Sequence, residues 1–133
     1  MSKLLKCAAS PCKSCPYRRD APVGLWAPHE YEKLPGYDGD IPDQLMAGAH
    51  GRFDCHQRDG NLCAGWVSTH GAGNLLALRL QADKVDPSVW DYQSPVPVFS
   101  TGQEAHDHGV GEPDARASRM MKRLVKKIRS AKR

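Results

Sequence analysis

Two local cysteine pairs, Cys12-x2-Cys15 and Cys55-x7-Cys63, are set 39 residues apart and constrain this chain more than any other feature. Four thiolates brought together can close a four-sulfur site that accepts Zn²⁺ or an iron–sulfur cluster. Buried, unligated cysteines are the competing reading. It suits a single thiol in an apolar run better than four thiols flanked by Pro, Gly and charge. A thioredoxin-type redox pair fits poorly, because Pro16 stops any helix from continuing past Cys15. Structural zinc sites favour two tight knuckles, and the second pair here is wide. Cys15-Pro16 matches the Cys-Pro end of bacterial iron–sulfur runs, which tilts the reading toward a 4Fe-4S cluster over Zn²⁺. Cys7 and His56 are further candidate ligands; Cys7 reads rather as a spare thiol, and His56 as a hydrogen-bond donor beside Cys55. Arg18 and Arg19 can stabilise an anionic thiolate site. Trp66, three residues after Cys63, either shields the site or fills the core. His70, His106 and His108 read as surface histidines.

Charge divides the chain of 133 residues into two parts. Residues 116–133 hold nine basic residues and no acid: Arg116, Arg119, Lys122, Arg123, Lys126, Lys127, Arg129, Lys132 and Arg133. The preceding 115 residues hold ten basic and fifteen acidic residues, so a body of −5 carries a tail of +9 and the sum is +4. Such a tail suits nucleic acid or the transcription machinery, or lies as a solvated helix over its own acidic body. No apolar run approaches the ~18 residues of a membrane span. The segment Met1–Cys7 lacks the apolar stretch of a secretory signal, so a cytoplasmic protein is expected, where cysteines serve metals more often than disulfides.

Prolines 11 and 16 keep the first cysteine pair on a loop. Short helices are expected over 26–34 and 42–49, and Asp59-Gly60 suggests a hairpin between Phe53 and Trp66. Asn74 should cap a buried helix carrying Leu75, Leu76, Leu78 and Leu80. Residues 93–112 read as a Pro/Gly-rich, mostly irregular linker. From Pro113 a helix runs to about Ser130, with Met121, Leu124, Val125 and Ile128 on one stripe. The expected architecture is a small, loop-rich α or α+β metal-centred domain (1–92), a linker (93–112) and a basic amphipathic C-terminal helix (113–133).

The segments Cys12-Lys-Ser-Cys-Pro-Tyr-Arg-Arg-Asp20, Phe53-Asp-Cys-His56 and Cys63-Ala-Gly-Trp66 resemble a family of small uncharacterised proteins of actinobacteria and their phages. Trp26, Glu30, Tyr31 and Leu34 fill its middle positions. The likeness spans roughly residues 12–80 and implies a shared metal site at Cys12, Cys15, Cys55 and Cys63, without bringing an activity. The four-cysteine site, the Gly-Trp turn and the basic tail are also similar in arrangement to WhiB-like regulators, although the cysteine order differs. No Ser-His-Asp order, P-loop, Rossmann glycines or paired catalytic carboxylates are recognisable. The leading expectation is therefore a non-enzymatic metal-binding protein whose tail contacts nucleic acid or the transcription machinery. A zinc-stabilised interaction module and an iron–sulfur electron carrier are the alternatives.

Overall fold

A computed structural model describes residues 4–55 and 61–131, with the side chains of residues 124 and 128–131 not described. The chain is a loop-rich α+β unit built from two-residue strands β1 (Lys6–Cys7) and β2 (Asn61–Leu62) and six helices. These are α1 (Pro28–Glu32), α2 (Ile41–Met46), α3 (Ala64–His70), α4 (Leu76–Arg79), α5 (Gly102–Gly109) and α6 (Ala115–Ala131). Among the described residues no helix is long and apolar enough to cross a membrane.

The N-terminal strand ties the fold together. β1 pairs in parallel with β2, Cys7 opposite Leu62, while Leu5 bonds on its other side to Lys84 and Asp86. β2 in turn faces the segment before it: Cys55 N–H donates to Asn61 O (2.8 Å) and Cys63 N–H to Phe53 O (2.8 Å). These bonds flank the expected hairpin, whose Asp59-Gly60 turn lies outside the described residues. A single core then collects Tyr17, Tyr31, Leu34, Leu62, Trp66, Val67, Leu75 and Leu78 around α3.

α2 starts as its sequence dictates. Asp40 and Asp43 form a reciprocal capping box, and Pro42 occupies the first turn, where its missing N–H costs nothing. Gln44 on this helix is fully buried, yet every polar atom of its amide is engaged. Nε2 donates to Gly39 O (3.0 Å) and Asn74 O (2.6 Å), and Oε1 accepts from Leu76 N–H (3.0 Å). The expected role of Asn74 is thereby corrected. Asn74 turns its side chain back to His70 O, and the start of α4 is satisfied by Gln44 from another helix. Leu80, expected on the buried face, is exposed because α4 ends one residue before it.

Residues 93–112 are mostly irregular, as their Pro and Gly content suggests, but the helix α5 lies within them. Thr101 caps α5 through Glu104 N–H, and the Asp38 carboxylate accepts from the N–H groups of Gly102 and Gln103. Gly109 packs directly on the Tyr31 ring, where any Cβ would overlap it. The glycines mark close packing here, not freedom.

α6 is anchored at its root. Asp114 accepts from Ala117 N–H (2.8 Å) and from Val23 N–H (3.0 Å), which caps the helix and pins it to the body. Ala117 is buried; beyond it every described side chain except Met120 is exposed, Met121 and Val125 included.

Replacing Gln44 by Leu would keep the volume and leave Gly39 O, Asn74 O and Leu76 N–H unpaired. We expect a loss of about 3 kcal/mol in unfolding free energy, measured by urea denaturation. A change below about 1 kcal/mol would contradict the keystone role of this amide.

Candidate metal centre

The Cys12–Cys15 segment turns tightly, with Cys15 N–H bonded to Cys12 O (2.9 Å) and Arg18 N–H to Cys15 O (3.2 Å). Such a turn aims backbone N–H groups at sulfur. Ser14 N–H bonds to the Cys12 sulfur, and Tyr17 N–H and Gly65 N–H bond to the Cys15 sulfur. Ser14 Oγ stands 3.4 Å from Cys12 Sγ as well. Donors directed at sulfur favour the thiolate, the form in which cysteine binds metal.

The second pair arrives from the opposite direction. Cys63 ends β2 and opens α3, which brings its sulfur to 3.7 Å from that of Cys15. Gly65 permits this approach: a Cβ there would stand 2.5 Å from Cys15 Sγ and 2.7 Å from Tyr17 Cβ. Cys55 is buried in a small satellite cluster with Ala8 and Ala64, against which Cys7 and Cys12 pack. All five cysteines are free thiols.

Electrostatics ties the five together. Burial pushes the Cys7 thiol up to about 12, and the charges of Cys55 and Cys15 push in the same direction. Cys12 is raised chiefly by burial, against the pull of its Ser14 bonds, with Cys15 and Cys55 adding to the rise. Cys15 is raised well above the usual range by the hydrogen bond it shares with Cys63, then by burial and by the Cys63 charge. Each thiolate thus opposes its neighbours, and a bound cation would reverse that logic. The donor set is soft and fits zinc or an iron–sulfur cluster. Among the described residues, however, no group of three or more His, Cys, Asp or Glu side chains is arranged to hold a metal ion.

The residues expected around the site separate. Arg18 lies close, donating to both Asp20 oxygens (2.8 and 2.9 Å) and to Pro11 O, so it clasps the loop that carries Cys12. Arg19 reaches the other way, to Val98 O (3.0 Å) and over the Phe99 ring. Trp66 is fully buried, stacked on Phe53 and edge-on to Tyr37, and its Nε1–H has no partner among the described residues. His56, Lys132 and Arg133 lie outside the described residues, as does the side chain of Arg129. Arg116, Arg119, Lys122, Arg123, Lys126 and Lys127 line α6 as exposed residues.

His70 is not the surface residue its sequence context suggests. Its side chain is 4% exposed; Nε2 lies 3.1 Å from Tyr17 Oη and Nδ1 3.5 Å from Asp38 Oδ1. Tyr17 in turn is pushed well up by burial, then by the charges of Cys63 and Cys15. The chain Asp38–His70–Tyr17 thus runs from α5's cap to the cysteine loop. No spacing rule links these three positions; only the aromatic and polar composition of the two segments hinted at it. His108, also expected at the surface, bonds Ala21 O (2.6 Å) and packs on Phe99.

Two outcomes follow from this packing. Gly65→Ala should cost at least about 2 kcal/mol, because the new methyl meets Cys15 and Tyr17 in a full core. A thermal melt within a degree of the parent would contradict the close approach. Burial also holds His70 down to about 4 from 6.5. The unfolded chain therefore takes up a proton between these values that the folded chain refuses. The contribution of His70 to stability should be complete above pH 6.5 and fall toward pH 4, by on the order of 3 kcal/mol. His70→Asn should flatten that slope relative to the parent in denaturation series from pH 7.5 to 4.5, and parallel curves would refute it.

No curated protein and no solved structure matches the chain. A family model does match residues 7–127, from the strand that carries Cys7 to well within α6, further than the sequence likeness over 12–80 extends. On that match the chain belongs to DUF6283, a family of unknown function.

Proposed function

We propose that this chain is a non-enzymatic metal-binding protein in which Cys12, Cys15, Cys55 and Cys63 hold an iron–sulfur cluster or Zn²⁺, and α6 contacts nucleic acid. The contact of the Cys15 and Cys63 sulfurs, with Cys12 packed against both their cluster and that of Cys55, supports the metal reading. A cluster is favoured by the Cys15-Pro16 step and would supply a redox- or oxygen-sensitive centre. Zinc in the same place would make the protein a structural interaction module. In either case Gly65 lets α3 close on Cys15, Arg18 clasps the loop, and metal binding releases protons that the raised thiols hold.

The nucleic-acid reading is carried by α6. Six described Lys and Arg side chains stand exposed on a helix whose first turn is bonded to the body. Such a surface binds phosphate by releasing counterions, without reading sequence. No described aromatic side chain lies on α6, so stacking does not enter its contacts.

The test is anaerobic purification with metal analysis and an absorption spectrum. We expect iron with sulfide and broad visible absorption, abolished in Cys12→Ser, Cys15→Ser, Cys55→Ser and Cys63→Ser and retained in Cys7→Ser. Zinc at about one per chain would select the structural module, and neither metal would defeat the proposal. Duplex DNA affinity should fall with salt at a log–log slope of about −4, for roughly four to five phosphates engaged. A flat dependence would remove the nucleic-acid half.

A further inference from the structure

Beside the cysteine loop opens a cleft of about 180 Å³. Pro16, Trp26, Tyr31 and Phe53 form its apolar wall. Glu30, Lys33, Arg52 and Asp54 form its rim, where they pair as Lys33–Glu30 (3.3 Å) and Arg52–Asp54 (3.0 Å). The wall is held firmly. Trp26 Nε1–H donates to Ser14 O (2.9 Å), Trp26 N–H to Tyr31 Oη (3.1 Å), and Phe53 rests one face on Trp66 at 27°.

We propose that this cleft binds a single nucleobase, stacked against the aromatic wall and hydrogen-bonded by the rim. Size selects one ring system, since pockets for drug-sized ligands begin at about 300 Å³. Charge selects a neutral ring. Two acids and two bases cancel on the rim, so an isolated anion gains little there, whereas a heterocycle bearing both donors and acceptors is met by both. Nucleobase edges have that character, and every base offers a π-face to an aromatic side chain.

The base can be free or borne on a strand. The root of α6 is bonded to Val23, three residues before Trp26 in the sequence, which is why a strand-borne base is tested beside the free one. The strand-borne form rests on the reading of α6 as a phosphate-binding helix; the free form does not.

Equilibrium dialysis of the full-length, metal-loaded protein against adenosine and against an eight-nucleotide oligoadenylate tests the proposal. Trp26→Ala should weaken binding about tenfold or more, Trp26→Phe should restore most of it, and Arg52→Gln should weaken it about threefold. Circular dichroism checks that each variant is folded, and Trp26→Phe with Arg52→Gln carries the test if Trp26→Ala is not. Adenosine binding with this pattern, insensitive to salt, supports a free nucleoside ligand. The same pattern with the oligomer alone supports a strand-borne base. Oligomer binding that ignores the cleft variants but disappears when Lys122, Arg123, Lys126 and Lys127 are all changed to Gln overturns the cleft and leaves the α6 reading standing. Binding of neither probe overturns the cleft, while the salt dependence of duplex binding tests the α6 reading separately.

Discussion

The close approach of Cys15 to Cys63 is the contact on which the rest of the structure depends. It joins a proline-rich loop near the N-terminus to the start of α3, across 47 intervening residues. The loop that carries Cys15 has no helix, and Cys63 stands between the two-residue β2 and the first turn of α3. The contact survives on three local devices. Tyr17 and Gly65 donate N–H groups to the Cys15 sulfur, Gly65 has no side chain to keep the segments apart, and Trp66 and Tyr17 fill the space behind them. A core this small would gain considerably from any further tie at that point, and the proposed metal would be such a tie.

The five thiols also explain why the region is tense without a cation. Burial raises Cys7, Cys12 and Cys15, and neighbouring sulfur charge raises each of them further. Protonation is the relief available to the protein alone. A soft cation offers a second relief, because its charge turns mutual repulsion among thiolates into shared attraction. Cys7 belongs to this balance although its sequence position seemed incidental. Its strand is registered against β2, next to Cys63, and this long-range pairing brings its sulfur into the field of Cys55 and Cys15.

What could be seen in the sequence was whatever depended on short spacing. The cysteine pairs, the short helices α1 and α2 and the basic run of α6 are all written within a few residues. What stayed hidden depended on partners far along the chain. Gln44 satisfies α4 from 32 residues away, and Asp38 caps α5 from 64 residues away. Glycine composition concealed α5 within residues 93–112, because Gly102 and Gly109 serve close packing against Leu34 and Tyr31. His70 misled for the same reason: its neighbours in sequence are polar, while its neighbours in space are Tyr17 and Tyr37.

These hidden partners make the parts of the molecule interdependent. Ser14, beside Cys15, bonds the Cys12 sulfur through its N–H and the Trp26 indole through its carbonyl. A change in the cysteine loop therefore reaches the aromatic wall through one residue. On the other side, Tyr17 passes from the loop to His70, and His70 to Asp38 at the start of α5. α5 ends at Gly109, whose carbonyl holds Gly24, and Val23 beside it holds the root of α6. Each step is a hydrogen bond or a close polar contact between one group and the next. Order at the cysteines is thus mechanically continuous with the placement of both surfaces that face outward, the aromatic cleft and the basic helix.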